Sequence, residues 1–282
     1  MNGCFVELIT PFDFNNNVDF NSLFKLLDLQ IENKIDGLVL LGEASESYSL
    51  SKEEKLEIIN KVINYIDKKM KIIVCVNEKN IEDVVRFCDS TKEYLIDGYL
   101  IGYPYLNKSD SSVLEFYNYL LDVVDKPIIV DINKEHNISV DVLNRLSYFE
   151  KIIGFRNCSL DLFYLIEISR LIKDNFKLFC GNDFLIIPSI SLGAECIISL
   201  VGCAYPKQIK EIYDNFYENI IEVRKKFHKI ETILKDVYNE SFPSTLKYLL
   251  YLNGFNSSKT RMPLDECSLF LKRKIQEDCL FL

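Results

Sequence analysis

Three charged residues sit at the ends of short apolar runs in this chain. Glu43 follows "GLVLL" (37–41) and Gly42, Asp131 lies within "PIIVDI" (127–132), and Arg156 closes "IIGFR" (152–156). Carboxylates accept and move protons, so Glu43 and Asp131 suit paired acid and base roles. A guanidinium offers five donors and stays protonated, so Arg156 suits the gripping of a carboxylate and is excluded as an amine nucleophile. Each reading competes with a structural one, because an arginine at the end of an apolar strand needs a buried partner.

The elements that must position these residues are legible as alternation. Eight β-branched runs, at 4–9, 37–41, 71–76, 98–102, 127–132, 152–156, 176–180 and 196–200, alternate with segments of helical period. That is the pattern of βα units around a parallel sheet. "SKEE" (51–54) is a capping box that opens a helix with Leu56, Ile59, Val62, Ile63 and Ile66 on one face. Ser111 is expected to start another, with Val113, Phe116, Tyr117, Leu120 and Leu121. Eight such units predict an α/β fold, a (β/α)8 TIM barrel, whose functional groups gather at the C-terminal strand ends, where Glu43, Asp131 and Arg156 fall. After about residue 205 strand signals stop, and "TLKYLLYLNGF" (245–255) ends in an Asn253-Gly254 C-cap pattern. The expected organisation is a barrel over 1–205 and a small helical domain over 206–282.

Composition narrows the function classes. A formal charge of -9 and a pI near 5.0 argue against a sequence-independent nucleic-acid surface, which would collect Lys and Arg. Nine cysteines form no C-x-x-C pair and lie mostly among apolar neighbours, as small buried hydrophobes of a reducing cytosol do. The start "MNGCFVELITPFDF" has no basic n-region, and no apolar run reaches membrane-spanning length, so a cytoplasmic protein without membrane partners is expected. His136 and His228 are the only histidines and lie far apart, so no metal site is expected. No P-loop, G-x-G-x-x-G or G-x-S-x-G occurs, and no cofactor is expected.

Several segments then line up in order: "LITPF" (8–12), "GEASESYSLSKEE" (42–54), "GYPYLNKS" (102–109), "KPIIVDI" (126–132), "IIGFRNCSLD" (152–161), "LFCGND" (178–183), "LGAECIIS" (192–199) and "RMPLDE" (261–266). Together they resemble the dihydrodipicolinate synthase and N-acetylneuraminate lyase family over nearly the whole chain. The resemblance implies a barrel with a C-terminal helical domain, a homo-oligomer (dimer or tetramer), and class I lyase or aldolase chemistry on 2-oxo acids through a lysine Schiff base with pyruvate. It also implies site positions, and this chain departs from the family pattern at them. The carboxylate-binding turn reads Gly42-Glu43-Ala44, with Glu43 in place of a hydroxyl; the proton-shuttling tyrosine is Asp131; and the Schiff-base lysine is Arg156. The tyrosine lent across the dimer falls on Leu106, beside the retained Tyr105, the arginine that grips the substrate's far carboxylate falls near His136, and Gly181-Asn182-Asp183 matches a loop bounding the pocket.

Strands five and six are neighbours in such a barrel, and Asp131 and Arg156 fall on family positions that both point inward. They are therefore expected to form a salt bridge, which Glu43 would extend. Because the lost groups belong to one mechanism, the expected protein has lost Schiff-base catalysis and persists as a small-ligand-binding, regulatory or scaffolding homologue, its ligand a small carboxylate or 2-oxo acid. The alternative is a divergent lyase or aldolase acting on a 2-oxo acid through the remodelled site, with Glu43, Asp131 and Arg156 as its polar groups; Lys134, more simply a solvated loop lysine beside Glu135, is the first suspect for a substitute nucleophile.

Overall fold

The alternation of apolar runs becomes a closed barrel of eight strands in chain order in the computed structural model, which describes residues 1–104, 109–132, 137–239 and 242–279. The strands are β1 Gly3–Glu7, β2 Gly37–Leu40, β3 Lys71–Val76, β4 Gly98–Gly102, β5 Ile128–Ile132, β6 Ile152–Asn157, β7 Lys177–Cys180 and β8 Cys196–Ser199. All eight expected runs are strands, with ends shifted by no more than two residues. They are buried almost throughout, as parallel strands covered on both faces must be. Around and after them come α1 Phe20–Glu32, α2 Lys52–Ile66, α3 Ile81–Thr91, α4 Asp110–Val123, α5 Val140–Leu146, α6 Leu162–Ser169, α7 Ile186–Ser191, α8 Pro206–Asp214, α9 Ile220–Val237, α10 Ser244–Leu252 and α11 Leu269–Asp278. Among the described residues, those after β8 form helices and turns only.

The chain divides into two compact units. One holds Met1–Gly3 and Lys71–Ile198, the other Cys4–Met70 and Ser199–Leu282. Neither coincides with the segments 1–205 and 206–282 expected from the end of the strand signals.

Local signals explain most helix ends. Ser51 and Glu54 form the expected capping box on α2, whose buried face is Ile58, Ile59, Val62 and Ile66; Leu56 and Ile63 are only half-buried, and Ile58 takes the core position instead. The helix α4 is capped by Ser109 rather than Ser111, because in "SDSS" the earlier serine closes a reciprocal pair with Ser112. Asn253 caps α10 and Gly254 follows at φ 84°, where a side chain would be strained. No helix among the described residues is long and apolar enough to cross a membrane.

Eight of the nine cysteines are buried, and all are free thiols. Burial pushes Cys88, Cys196 and Cys203 up to about 12 and Cys180 up to about 11. The unfolded thiol ionises near 9.0, so the stability these groups contribute is fully present below that pH and is lost as pH rises toward the folded values. The urea midpoint is therefore expected to fall between roughly pH 9 and pH 10.5 under reducing conditions, and a midpoint that holds or rises there would contradict this account.

Candidate functional site

In the first unit the site begins with a backbone irregularity. Ile128 pairs with Ile152, but Ile129 pairs with Gly154, so one residue of β6 is skipped. Side chains alternate faces along a strand, and without this bulge Asp131 would lie opposite Phe155. With it, Asp131 is in register with Arg156. Gly154 makes the bulge possible, because a Cβ there would lie 2.2 Å from the Lys177 carbonyl oxygen of β7.

The register brings Asp131 and Arg156 into a two-pronged ion pair. Arg156 Nε donates to Asp131 Oδ1 at 2.7 Å, and the terminal Nη2 donates to Oδ2 at 2.7 Å. This fork geometry matches a planar guanidinium to a carboxylate, and the side chains are only 9% and 8% exposed. Gly181 supplies room for the arginine stem, since a Cβ there would meet Arg156 Cγ at 2.7 Å and Cys158 Sγ at 2.6 Å. The Gly181 amide is held by the Asn157 carbonyl, and Asn182 caps the following turn through the Phe184 amide while donating to the Cys158 carbonyl. On the other side, Tyr117 of α4 donates to the Ile101 carbonyl at 2.8 Å. Burial, with the nearby Asp131 charge, raises its phenol well above 10.0. A proton-shuttling phenol needs the opposite environment, so Tyr117 is a structural donor.

The second unit holds a different arrangement. Glu43 is exposed and opens the 3-10 turn Glu43–Ser45 after β2. The Ala44 amide donates to Oε1 of Glu7, the last residue of β1, at 2.8 Å. Beneath the turn, Glu46 and Lys247 of α10 form an ion pair at 2.5 Å with side chains 0% and 1% exposed. Lys247 also donates to the Lys259 carbonyl and lies over the Phe12 ring, while the Arg261 amide donates to Glu46 Oε2. Arg261 in turn grips both oxygens of Glu54, the capping residue of α2. Desolvation lowers Lys247 to about 8 despite the Glu46 charge.

Of the residues singled out from the sequence, the structure joins Asp131, Arg156 and Gly181 in one unit, and Glu43 and Ala44 share the turn in the other. Leu106, His136 and Lys134 lie outside the described residues. Glu7 and Lys247 escaped notice, although each is a charged residue inside an apolar run, "CFVELI" and "TLKYLLYL".

Fold and strand-end charges define a (β/α)8 barrel of the type that presents its polar groups at the C-terminal strand ends. Within that class, the chain belongs to the dihydrodipicolinate synthetase family, whose model matches residues 1–279. It is 32% identical over 283 residues to the 4-hydroxy-tetrahydrodipicolinate synthase of Karelsulcia muelleri (strain GWSS), covering 98% of this chain and 95% of that protein. It is 29% identical over 271 residues to the synthase of Brachyspira hyodysenteriae, covering 94% and 92%. The crystal structure of dihydrodipicolinate synthase from Aquifex aeolicus matches with a TM-score of 0.92 at 26% identity, covering 98% of this chain and 96% of that one. A synthase structure from Thermotoga maritima matches in fold with a TM-score of 0.94 at 23% identity, covering 100% and 99%.

Proposed function

We propose that this chain is a member of the family that has lost Schiff-base catalysis and acts as a noncatalytic homologue, binding a small polar ligand in a regulatory or scaffolding role. The observation that carries this reading is the forked Asp131–Arg156 pair. Schiff-base formation needs a neutral amine, and a guanidinium stays protonated. Both prongs of this one are already engaged by a carboxylate of its own chain, which also opposes its use as a grip for a 2-oxo acid. Exposed Leu160, Leu162 and Phe163 around the start of α6 offer apolar surface to a second copy, in keeping with a homo-oligomer.

A second reading, a divergent lyase or aldolase, is favoured by the relatives' name, 4-hydroxy-tetrahydrodipicolinate synthase. Borohydride trapping with pyruvate, followed by intact-mass and peptide analysis, separates the two. No adduct is expected, beside a positive control from a lysine-bearing family member. A stable adduct on any lysine, with peptides holding Lys134 and Lys247 inspected first, would overturn the noncatalytic reading and establish the second.

A further inference from the structure

We infer that Asp236 and Asp278 share one proton where the C-terminal ends of α9 and α11 meet, and that this proton latches α11 to α9, so that the helix docks tightly at acidic pH and loosens toward neutrality. The inference lies outside the strand-end groups and holds whether or not they react.

Asp236 is the last residue but one of α9, and Asp278 is the last of α11. Carboxylates are disfavoured there, because the C-terminal end of a helix carries the negative pole of its dipole. Asp236 is nonetheless fully buried, and the Asp278 side chain is only 21% exposed. Lys274, one turn back on α11, donates to Asp236 Oδ1 and lies 3.6 Å from Asp278 Oδ2, too far for a hydrogen bond. One ammonium therefore serves two carboxylates, which leaves one negative charge over. Oδ2 of Asp236 and Oδ2 of Asp278 are both buried, and neither accepts a hydrogen bond from any donor among the described residues. The two carboxyl groups nevertheless lie in hydrogen-bonding contact with each other. Ionised carboxylates are acceptors only, so this contact needs a proton on one of them. The same proton cancels the charge left over.

Burial raises the Asp236 carboxyl above its ordinary 3.8; the Lys274 contact opposes the shift and Asp278 adds to it. A group raised on folding contributes stability that is fully present below 3.8 and is lost as pH rises through the folded value. The latch therefore tightens on acidification, the opposite sign to carboxylates that are held ionised by their partners. The neighbouring thiol and phenol titrate above this interval: burial raises Cys279, which follows α11, above 9.0, and raises Tyr205, whose hydroxyl lies 3.4 Å from Cys279 Sγ, above 10.0. The remaining polar groups between these helices are paired among themselves. Glu211 of α8 binds Lys226 of α9, and Tyr248 of α10 accepts from Gln276 of α11 beneath Lys272. On α9 itself, Glu231 binds the exposed Lys235 and His228.

The test is amide hydrogen exchange of the full chain, read by mass spectrometry as protection factors of α11 at about pH 4.5 and about pH 7. Asp236→Asn and Asp278→Asn are measured beside it. Each puts an amide N–H, which no change of pH removes, in place of the shared proton, and either one suffices if the other does not fold. In the natural chain the protection of α11 is expected to fall at least roughly threefold from the lower pH to the higher, in excess of any change in the other segments. In a folded variant that fall is expected to vanish, with α11 better protected at the higher pH than in the natural chain. A smaller fall in the natural chain, or one shared by every segment, overturns the inference, and this arm decides the matter even if neither variant folds. So does a fall of equal size in a folded variant. A folded variant whose α11 is less protected than the natural chain at the higher pH overturns it too, because both carboxylates would then be needed in their charged form.

Discussion

Asp131→Ala is expected to destabilise the fold by about 3–5 kcal/mol, the range for removing one partner of a buried ion pair. The expectation depends on the 8% and 9% side-chain exposures, which take the pair out of the solvated class where such contacts contribute about 1 kcal/mol or less. Alanine would leave the Arg156 guanidinium with two donors unmatched in the interior, and unlike a lysine it cannot escape by giving up its proton. The loss is therefore the cost of a stranded charge, not the net worth of the bridge. A companion variant separates the two quantities. Replacing both residues with apolar ones, Asp131→Leu with Arg156→Met, is expected to recover most of the stability, because two desolvated charges are removed together. Chemical denaturation of the natural chain and both variants checks this. A single-variant loss below about 1 kcal/mol would place the pair in the solvated class and remove the main support for the noncatalytic reading.

The barrel was legible because its strands are buried on both faces, which leaves short apolar runs with little ambiguity of length or type. The Asp131–Arg156 pair was legible because the family resemblance put both positions inward on neighbouring strands, and a buried arginine needs a partner. What fixes their register was not. The skipped residue before Gly154 follows from the approach of the Lys177 carbonyl, and "KIIGFR" reads as an unbroken strand without that neighbour. Cap choice in "SDSS" was similarly open, since Ser109, Ser111 and Ser112 are chemically alike and only the fold chooses Ser109. Glu7 and Lys247 show a different blind spot. Each lies inside a run whose apolar residues by themselves fit a strand or a helix, yet a charge at such a position implies either a partner or a function. Their partners, the Ala44 amide and Glu46, lie 37 and about 200 residues away in sequence, and no local pattern links them.

Removing the counterion of that buried lysine should produce an effect as large as the loss of Asp131, with a different dependence on pH. Glu46→Ala is expected to cost about 3–5 kcal/mol near neutral pH. Glu46 is fully buried, Lys247 is 1% exposed, and the neighbouring Arg261 adds a second positive charge that already opposes protonation of the lysine. Lys247 is lowered to about 8 from an unfolded value of 10.5, so its own contribution grows as pH rises through that interval and is lost as pH falls through 8. In the variant the lysine loses its one favourable charge and sheds its proton at still lower pH. Once the lysine is neutral in both proteins, the missing carboxylate matters less. The penalty is therefore expected to be clearly smaller near pH 9.5 than near pH 7, whereas a lost packing contact would cost the same at both. Glu46→Gln, which keeps an acceptor for the Arg261 amide, should retain the pH dependence with a smaller total loss. Denaturant midpoints at the two pH values decide the matter, because a penalty independent of pH would mean that the charge on Lys247 is not what Glu46 holds in place.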